Sequence, residues 1–347
     1  MKLVRVIRFG AVVFLLGSLP ESMAGQQTEV ASSQLSSPHA QFSSGALLEV
    51  AHRYWDKNYL INFGAAGSDD ASPSHPVVTL YDRDGRLQRE AVVWFKNATR
   101  VSISDVAVGK KGELVVAGGA MDQSGVIANF ITLIGDDGRV SKTVRTTPFL
   151  PHRVCVAENG NVWAYGSDRS EQGERVETSL MLREYDFEKG QVKALLAKSE
   201  LNPWGWTLSE GRYPEEFYLR CAGSKVGLYN GASSEWIEYD KSAQKLKIAK
   251  VAPLPPPSDV RIRGFALTES GQVFASMHYR TRNPVMSGLF KLEFGNDGVG
   301  HWMVVKGTFQ PFRDGIGVGQ LLGTDGTELI YTRGPEATTA YWSKIAK

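Results

Sequence analysis

The sequence predicts an all-β protein, a six-bladed β-propeller with four antiparallel strands per blade. Three observations lead there: short strand-like runs throughout, two recurring hairpin turns, and a repeat interval near 50 residues. From Leu47 onward, runs of Val, Ile, Leu, Tyr and Phe alternate with Gly, Asp and Asn, and no long segment carries a 3.6-residue apolar period.

The first turn reads Tyr-Asp-Arg-Asp-Gly-Arg-Leu at 81–87, Ile-Gly-Asp-Asp-Gly-Arg-Val at 134–140 and Tyr-Asp-Phe-Glu-Lys-Gly-Gln-Val at 185–192. Degenerate copies stand at 239–246 and 294–299. The turn residues Gly85, Gly138, Gly190, Gln244 and Gly298 are spaced by 53, 52, 54 and 54 residues. Such turns need positive φ angles, which Asp-Gly supplies at little steric cost. A second turn falls between them: Lys-Lys-Gly-Glu-Leu at 110–114, Glu-Asn-Gly-Asn-Val at 158–162, Glu-Ser-Gly-Gln-Val at 269–273 and Thr-Asp-Gly-Thr-Glu-Leu at 324–329. Weaker counterparts lie at Asp56-Lys57-Asn58 and Gly223-Ser224-Lys225.

Two hairpins per interval make four strands. A sheet of that size cannot bury both faces alone, and radial stacking solves the problem. Six repeats begin near residues 46, 101, 152, 216, 261 and 315. The sixth ends before its second turn and would leave an open edge. A strand from the leader, within Thr28–Leu35 or Ala40–Ser44, is expected to close it. A pair of β-sandwiches is the competing fold. In turn spacing the segment Leu47–Lys347 resembles the broad six-bladed group that includes NHL-repeat and TolB-like propellers. That resemblance implies a ring with ligands at one mouth of a central channel, and no particular activity.

Lys2, Arg5 and Arg8 precede an apolar run of eleven residues, Phe9–Leu19, and Ser22-Met23-Ala24 places small residues where signal peptidase reads. Residues 1–24 are therefore expected to be a signal peptide cleaved before Gly25, and the protein to be secreted or periplasmic. The run is shorter than the roughly 20 residues of a membrane span, so no integral membrane segment is expected in the mature chain. Residues 25–45 read as a flexible leader and 46–347 as the propeller. Beyond residue 24 the chain holds 36 Lys+Arg and 36 Asp+Glu. That balance offers no case for a nucleic-acid partner. A monomer is expected.

The first and third turns of each blade share one face, so the longer loops share the other. These are Gly64–Pro76, Gly118–Asn129, Gly166–Ser179, Met277–Gly288 and the link Ala197–Glu215. Variable loops on a rigid ring usually carry function. At the starts of the inner strands lie His152, Arg153, Arg220, Arg261, Arg263 and Arg313. They form either an anion-attracting channel mouth or ion pairs with Glu215, Glu216, Asp259 and Asp314. Trp204-Gly205-Trp206, with Tyr213, forms a stacking platform or a packed lid. His278-Tyr279-Arg280-Thr281-Arg282 is a further ligand-gripping candidate. The binding set is thus His152, Arg153, Arg220, Arg263, His278, Arg280, Trp204 and Trp206.

No catalytic or metal motif is present. The six histidines show neither HxH nor HExxH spacing, and there is no GxSxG elbow or phosphate loop. The aspartates of the turns are not followed by a calcium loop ending in Glu. Asn97-Ala98-Thr99 fits a glycosylation acceptor of a eukaryotic secretory host. No cofactor is implied. Two function classes follow. One is a binding or scaffolding module for a protein, peptide, or small anionic or sugar ligand. The other is a propeller enzyme (hydrolase, lyase or quinone-cofactor dehydrogenase) with a site dispersed over several blades. Cys155 and Cys221 lie five and three residues before matching turns, so strand alternation points both side chains the same way around the ring. Two free, buried thiols are expected.

Overall fold

The computed structural model describes residues 38–41, 52–65, 76–109, 111–170, 173–174, 176–201, 217–231, 233–252, 260–280, 282, 284–313, 316–334 and 339–345. Residues 1–24, expected to be a signal peptide, lie outside them. Strand β1 (Pro38–Gln41) comes first. Blade 1 is β2 (His52–Asp56), β3 (Tyr59–Ala65), β4 (Pro76–Tyr81) and β5 (Leu87–Val92). Blade 2 is β6 (Ala98–Val108), β7 (Leu114–Asp122), β8 (Ile127–Ile134) and β9 (Val140–Arg145). Blade 3 is β10 (Phe149–Val156), β11 (Val162–Asp168), β12 (Leu180–Asp186) and β13 (Gly190–Ala197). Blade 4 is β14 (Phe217–Ala222), β15 (Lys225–Asn230), β16 (Glu235–Asp240) and β17 (Lys245–Lys250). Blade 5 is β18 (Val260–Leu267), β19 (Val273–Tyr279), β20 (Met286–Phe294) and β21 (Gly300–Val304), with β22 (Gln310–Pro311) beside β20. Blade 6 is β23 (Val318–Thr324), β24 (Glu328–Arg333) and β25 (Thr339–Lys344), and β1 completes it.

The six-bladed propeller is therefore the observed fold, and each blade is an antiparallel meander. Both turn series take the left-handed backbone their sequences call for. The φ angles are 78° at Gly85, 74° at Gly138, 74° at Gly190 and 76° at Gly298. Gln244, in the slot that glycine holds elsewhere, sits at 52°. Closure by a strand from residues 25–45 also holds, at a position that overlaps the expected Ala40–Ser44 segment. The closing strand is Pro38–Gln41, paired with β25 through Ala40↔Ala340 and Gln41↔Thr339. It starts two residues ahead of the expected Ala40–Ser44 segment. The expected loop Gly118–Asn129 is mostly strand, because β7 and β8 stay paired out to Met121↔Ile127.

The second strand of each blade is covered on both faces, so it reads as a near-continuous apolar run. Every side chain of β19 is buried, for example. The core divides into six clusters, each filling one seam between neighbouring blades. The seam between blades 6 and 1 packs Trp55 edge-on against Trp342, centroids 5.8 Å apart. That contact closes the ring. Polar links reinforce the seams: Lys57 Nζ donates to the Val108 carbonyl (2.6 Å) and the Val108 amide to Asp56 (2.8 Å). Arg83 reaches from blade 1 to Asp325 and Glu328 of blade 6.

The expectation of free thiols is overturned. Cys155 of β10 and Cys221 of β14 form a disulfide across the seam between blades 3 and 4, with Cα atoms 5.5 Å apart. The turns after them differ. Beyond β10, the Ala157 amide donates to the Asn161 carbonyl, so three residues form the tip of the turn. After β14, Ala222 pairs directly with Lys225 and only two residues remain. Cys155 is two residues from its last paired residue and Cys221 one. Facing alternates residue by residue along a strand, so counting back from those pairs puts the two sulfurs on facing sides of the seam.

Candidate functional site

The inner strands line an axial channel with one cavity at each end. On the side where these strands begin, a cavity of about 390 Å³ is lined from five blades by Arg53, Arg153, Arg220, Arg263 and His278, with Asp105 among them. At the turn face a second cavity of about 490 Å³ is lined by Asp56, Lys57, Glu158, Cys221, Glu269 and Asp325, among others. Arg220 is the one described residue that borders both.

Local backbone geometry aims these side chains. An inner strand carries an extra residue between Ile103 and Asp105 in β6, Pro151 and Arg153 in β10, and Ile262 and Gly264 in β18. The register of β23 also slips, between Val318 and Leu321. Bulges of this kind bend a strand and redirect side chains near sites. His152 and Arg263 are themselves the extra residues. The first strand of each blade has an open edge toward the channel, and the preceding blade satisfies an amide on that edge in three cases. The Val106 amide donates to Tyr54 Oη (3.1 Å), the Val154 amide to Asp105 Oδ2 (2.9 Å) and the Leu321 amide to Ser276 Oγ (2.8 Å). Gly264 lets the next blade approach, since a Cβ there would lie 1.8 Å from the Leu321 carbonyl oxygen.

Asp105 is the acidic centre of this arrangement. It also accepts from the Tyr54 hydroxyl (3.3 Å) and is 4% exposed. Burial pushes its carboxyl above the ordinary carboxylate range, while the Arg153 and Arg220 guanidiniums and the Val154 and Val106 amides pull it back. The Tyr54 phenol is pushed well up, by burial first and by Asp105 second. Arg153 anchors itself on backbone, its Nε donating to the Phe217 carbonyl (2.8 Å) and Nη1 to its neighbour His152 (2.9 Å). Arg220 leaves β14 for the opposite wall, where its guanidinium lies 4.9 Å from the Tyr54 ring centroid. Its Nη1 donates to the Leu219 carbonyl (2.8 Å), and its Nε is buried with no acceptor.

His278 enters the cavity as a neutral group rather than a cation. Its Nε2 lies 3.0 and 2.7 Å from the Val318 and Gly319 carbonyls, which can only accept, so that nitrogen carries the proton. Burial lowers its pKa, and Arg263 and Arg280 lower it further against those two hydrogen bonds.

Of the residues singled out by sequence, Arg153, Arg220, Arg263 and His278 meet at this cavity. His152 and the exposed Arg280 are not among its lining residues. Trp204, Trp206 and Tyr213 lie outside the described residues, as do the acids Glu215, Glu216, Asp259 and Asp314. Sequence reading missed Arg53, Tyr54 and Asp105. Asp105 did leave a signal, a lone acid inside the apolar strand Val101–Val108. Among the described residues no group of acidic, Cys and His side chains is arranged to hold a metal ion, and no helix is long and apolar enough to cross a membrane.

No protein-family model matches the sequence, and no curated protein does. Solved structures match in fold. A Bacteroides fragilis protein, described as exported by inference, is 13% identical with a TM-score of 0.53, covering 93% of this chain and 98% of its own. Hydrazine synthase of Kuenenia stuttgartiensis is 12% identical with a TM-score of 0.42, covering 92% of this chain and 76% of its own. A gluconolactonase of Xanthomonas campestris is 13% identical with a TM-score of 0.38, covering 90% and 96%. At these identities the Bacteroides match supports the shared fold, and the other two carry no argument.

Proposed function

We propose that this is an exported binding propeller that takes a small carboxylate ligand in the axial cavity, gripped by Arg153, Arg220 and Arg263. The observation that supports it most is that Arg53, Arg153, Arg220 and Arg263 converge from four blades on one cavity. Four arginines against one aspartate line the cavity, while His278 adds no charge. A low-dielectric funnel of that sign concentrates anions. Its volume suits a small metabolite. Ligands at one mouth of the channel are also what the resemblance to NHL-repeat and TolB-like propellers implies. Export follows from the signal-like residues 1–24 and predicts a mature protein starting at Gly25, which N-terminal sequencing checks.

The binding test is calorimetric titration of the mature protein with citrate, succinate and inorganic phosphate at low salt. Arg263→Gln is expected to weaken carboxylate binding about tenfold or more, the effect of losing one charged hydrogen bond, with little change in melting temperature. If instead the variant melts early while the wild type binds none of the three anions, the arginines are pinning blades together and the reading fails.

A further inference from the structure

We propose that the Cys155–Cys221 bridge positions the arginines of the axial cavity, so that reducing it weakens carboxylate binding. The inference rests on the carboxylate reading above. Arg153 stands two residues before Cys155 in the regular part of β10, so both side chains leave the strand on the same side. Both reach β14: Arg153 through the Phe217 carbonyl, Cys155 through the disulfide. Arg220 directly precedes Cys221, leaves β14 on the other side and crosses to Tyr54 of blade 1. One backbone segment therefore holds the bridge and the guanidinium that separates the two cavities. With the Cα atoms tied 5.5 Å apart, the spacing of the Arg153 and Arg220 anchor points is set before a ligand arrives. Such preorganisation lowers the ordering cost of binding.

The bridge is also placed for exchange. Cys221 lines the turn-face cavity, whereas Cys155 is 5% exposed. A thiolate of a dithiol reductant entering that cavity attacks Cys221 Sγ, and the Cys155 thiolate departs and takes a proton. The reductant's second thiolate then closes its own disulfide and expels the Cys221 thiolate, which is protonated in turn. Two electrons pass to the protein, and the reductant leaves as a cyclic disulfide. The ligand end of the channel has no part in this chemistry, so its response reports coupling through β10 and β14.

Citrate and succinate affinities of the mature protein are compared in three states: oxidised, reduced with dithiothreitol, and as the Cys155→Ser/Cys221→Ser double variant. All are measured well below the melting temperature, with native circular dichroism checked in each. Reduction and the double substitution are both expected to weaken binding about tenfold, and reoxidation with oxidised glutathione to restore it in the wild type alone. Should the double variant unfold, reduced and reoxidised wild type carry the comparison. Equal affinities in oxidised and reduced protein overturn the positioning role and leave the carboxylate reading standing. Failure of the oxidised protein to bind either carboxylate overturns both.

Discussion

Asp105→Ala is expected to destabilise the protein by about 2–4 kcal/mol, since two buried donors lose their acceptor at about 1–3 kcal/mol each. Three losses add in one place. The Val154 amide and the Tyr54 hydroxyl each lose their acceptor, and Arg153 and Arg220 lose the negative charge that attracts them. Asp105→Asn separates these effects. Asparagine still offers an oxygen to the Val154 amide but no charge to the guanidiniums, so it should cost less than alanine. Urea unfolding of the three proteins gives the ordering. An alanine variant within about 1 kcal/mol of wild type would mean that water replaces the carboxylate, and that blades 2 and 3 do not depend on Asp105 for their seam.

Breaking the disulfide is expected to cost a similar amount through a different route. The bridge closes a loop between cysteines 66 residues apart. In the chain-entropy picture a crosslink over that span destabilises the unfolded state by about 4 kcal/mol. The Cys155→Ser/Cys221→Ser variant should therefore unfold at clearly lower urea concentration. Its denaturant slope should also rise, because an uncrosslinked chain exposes more surface. Chemically reduced wild type should follow the variant. If all three transitions coincide, the bridge does not form in the mature protein, and alkylation without reductant followed by mass spectrometry will show both thiols labelled.

These two expectations differ in how far they could be anticipated. Asp105 was visible as a lone acid in an apolar strand, but its partners were not. Tyr54, Arg153 and Arg220 come from three other blades and meet it only at the axis. Arg53 was equally silent, being one basic residue in a short strand. The basic strand starts themselves were legible, and three of those six residues, Arg153, Arg220 and Arg263, do border the cavity.

By itself the sequence determined the ring: its all-β class, its six four-stranded blades and the need for a leader strand to close the last one. Those features are written in local chemistry. A left-handed turn residue such as Gly85 or Gly138 acts over a few neighbours, and its recurrence counts the blades. Tertiary structure alone decided which side chains face each other across a seam. Facing depends on alternation carried through turns and bulges, and one residue more or fewer reverses it. The two-residue turn after Cys221 turned its sulfur toward Cys155, and the extra residue in β18 presented Arg263 to the channel. Arg220 could be placed opposite Tyr54 only once six blades had set the width of the ring.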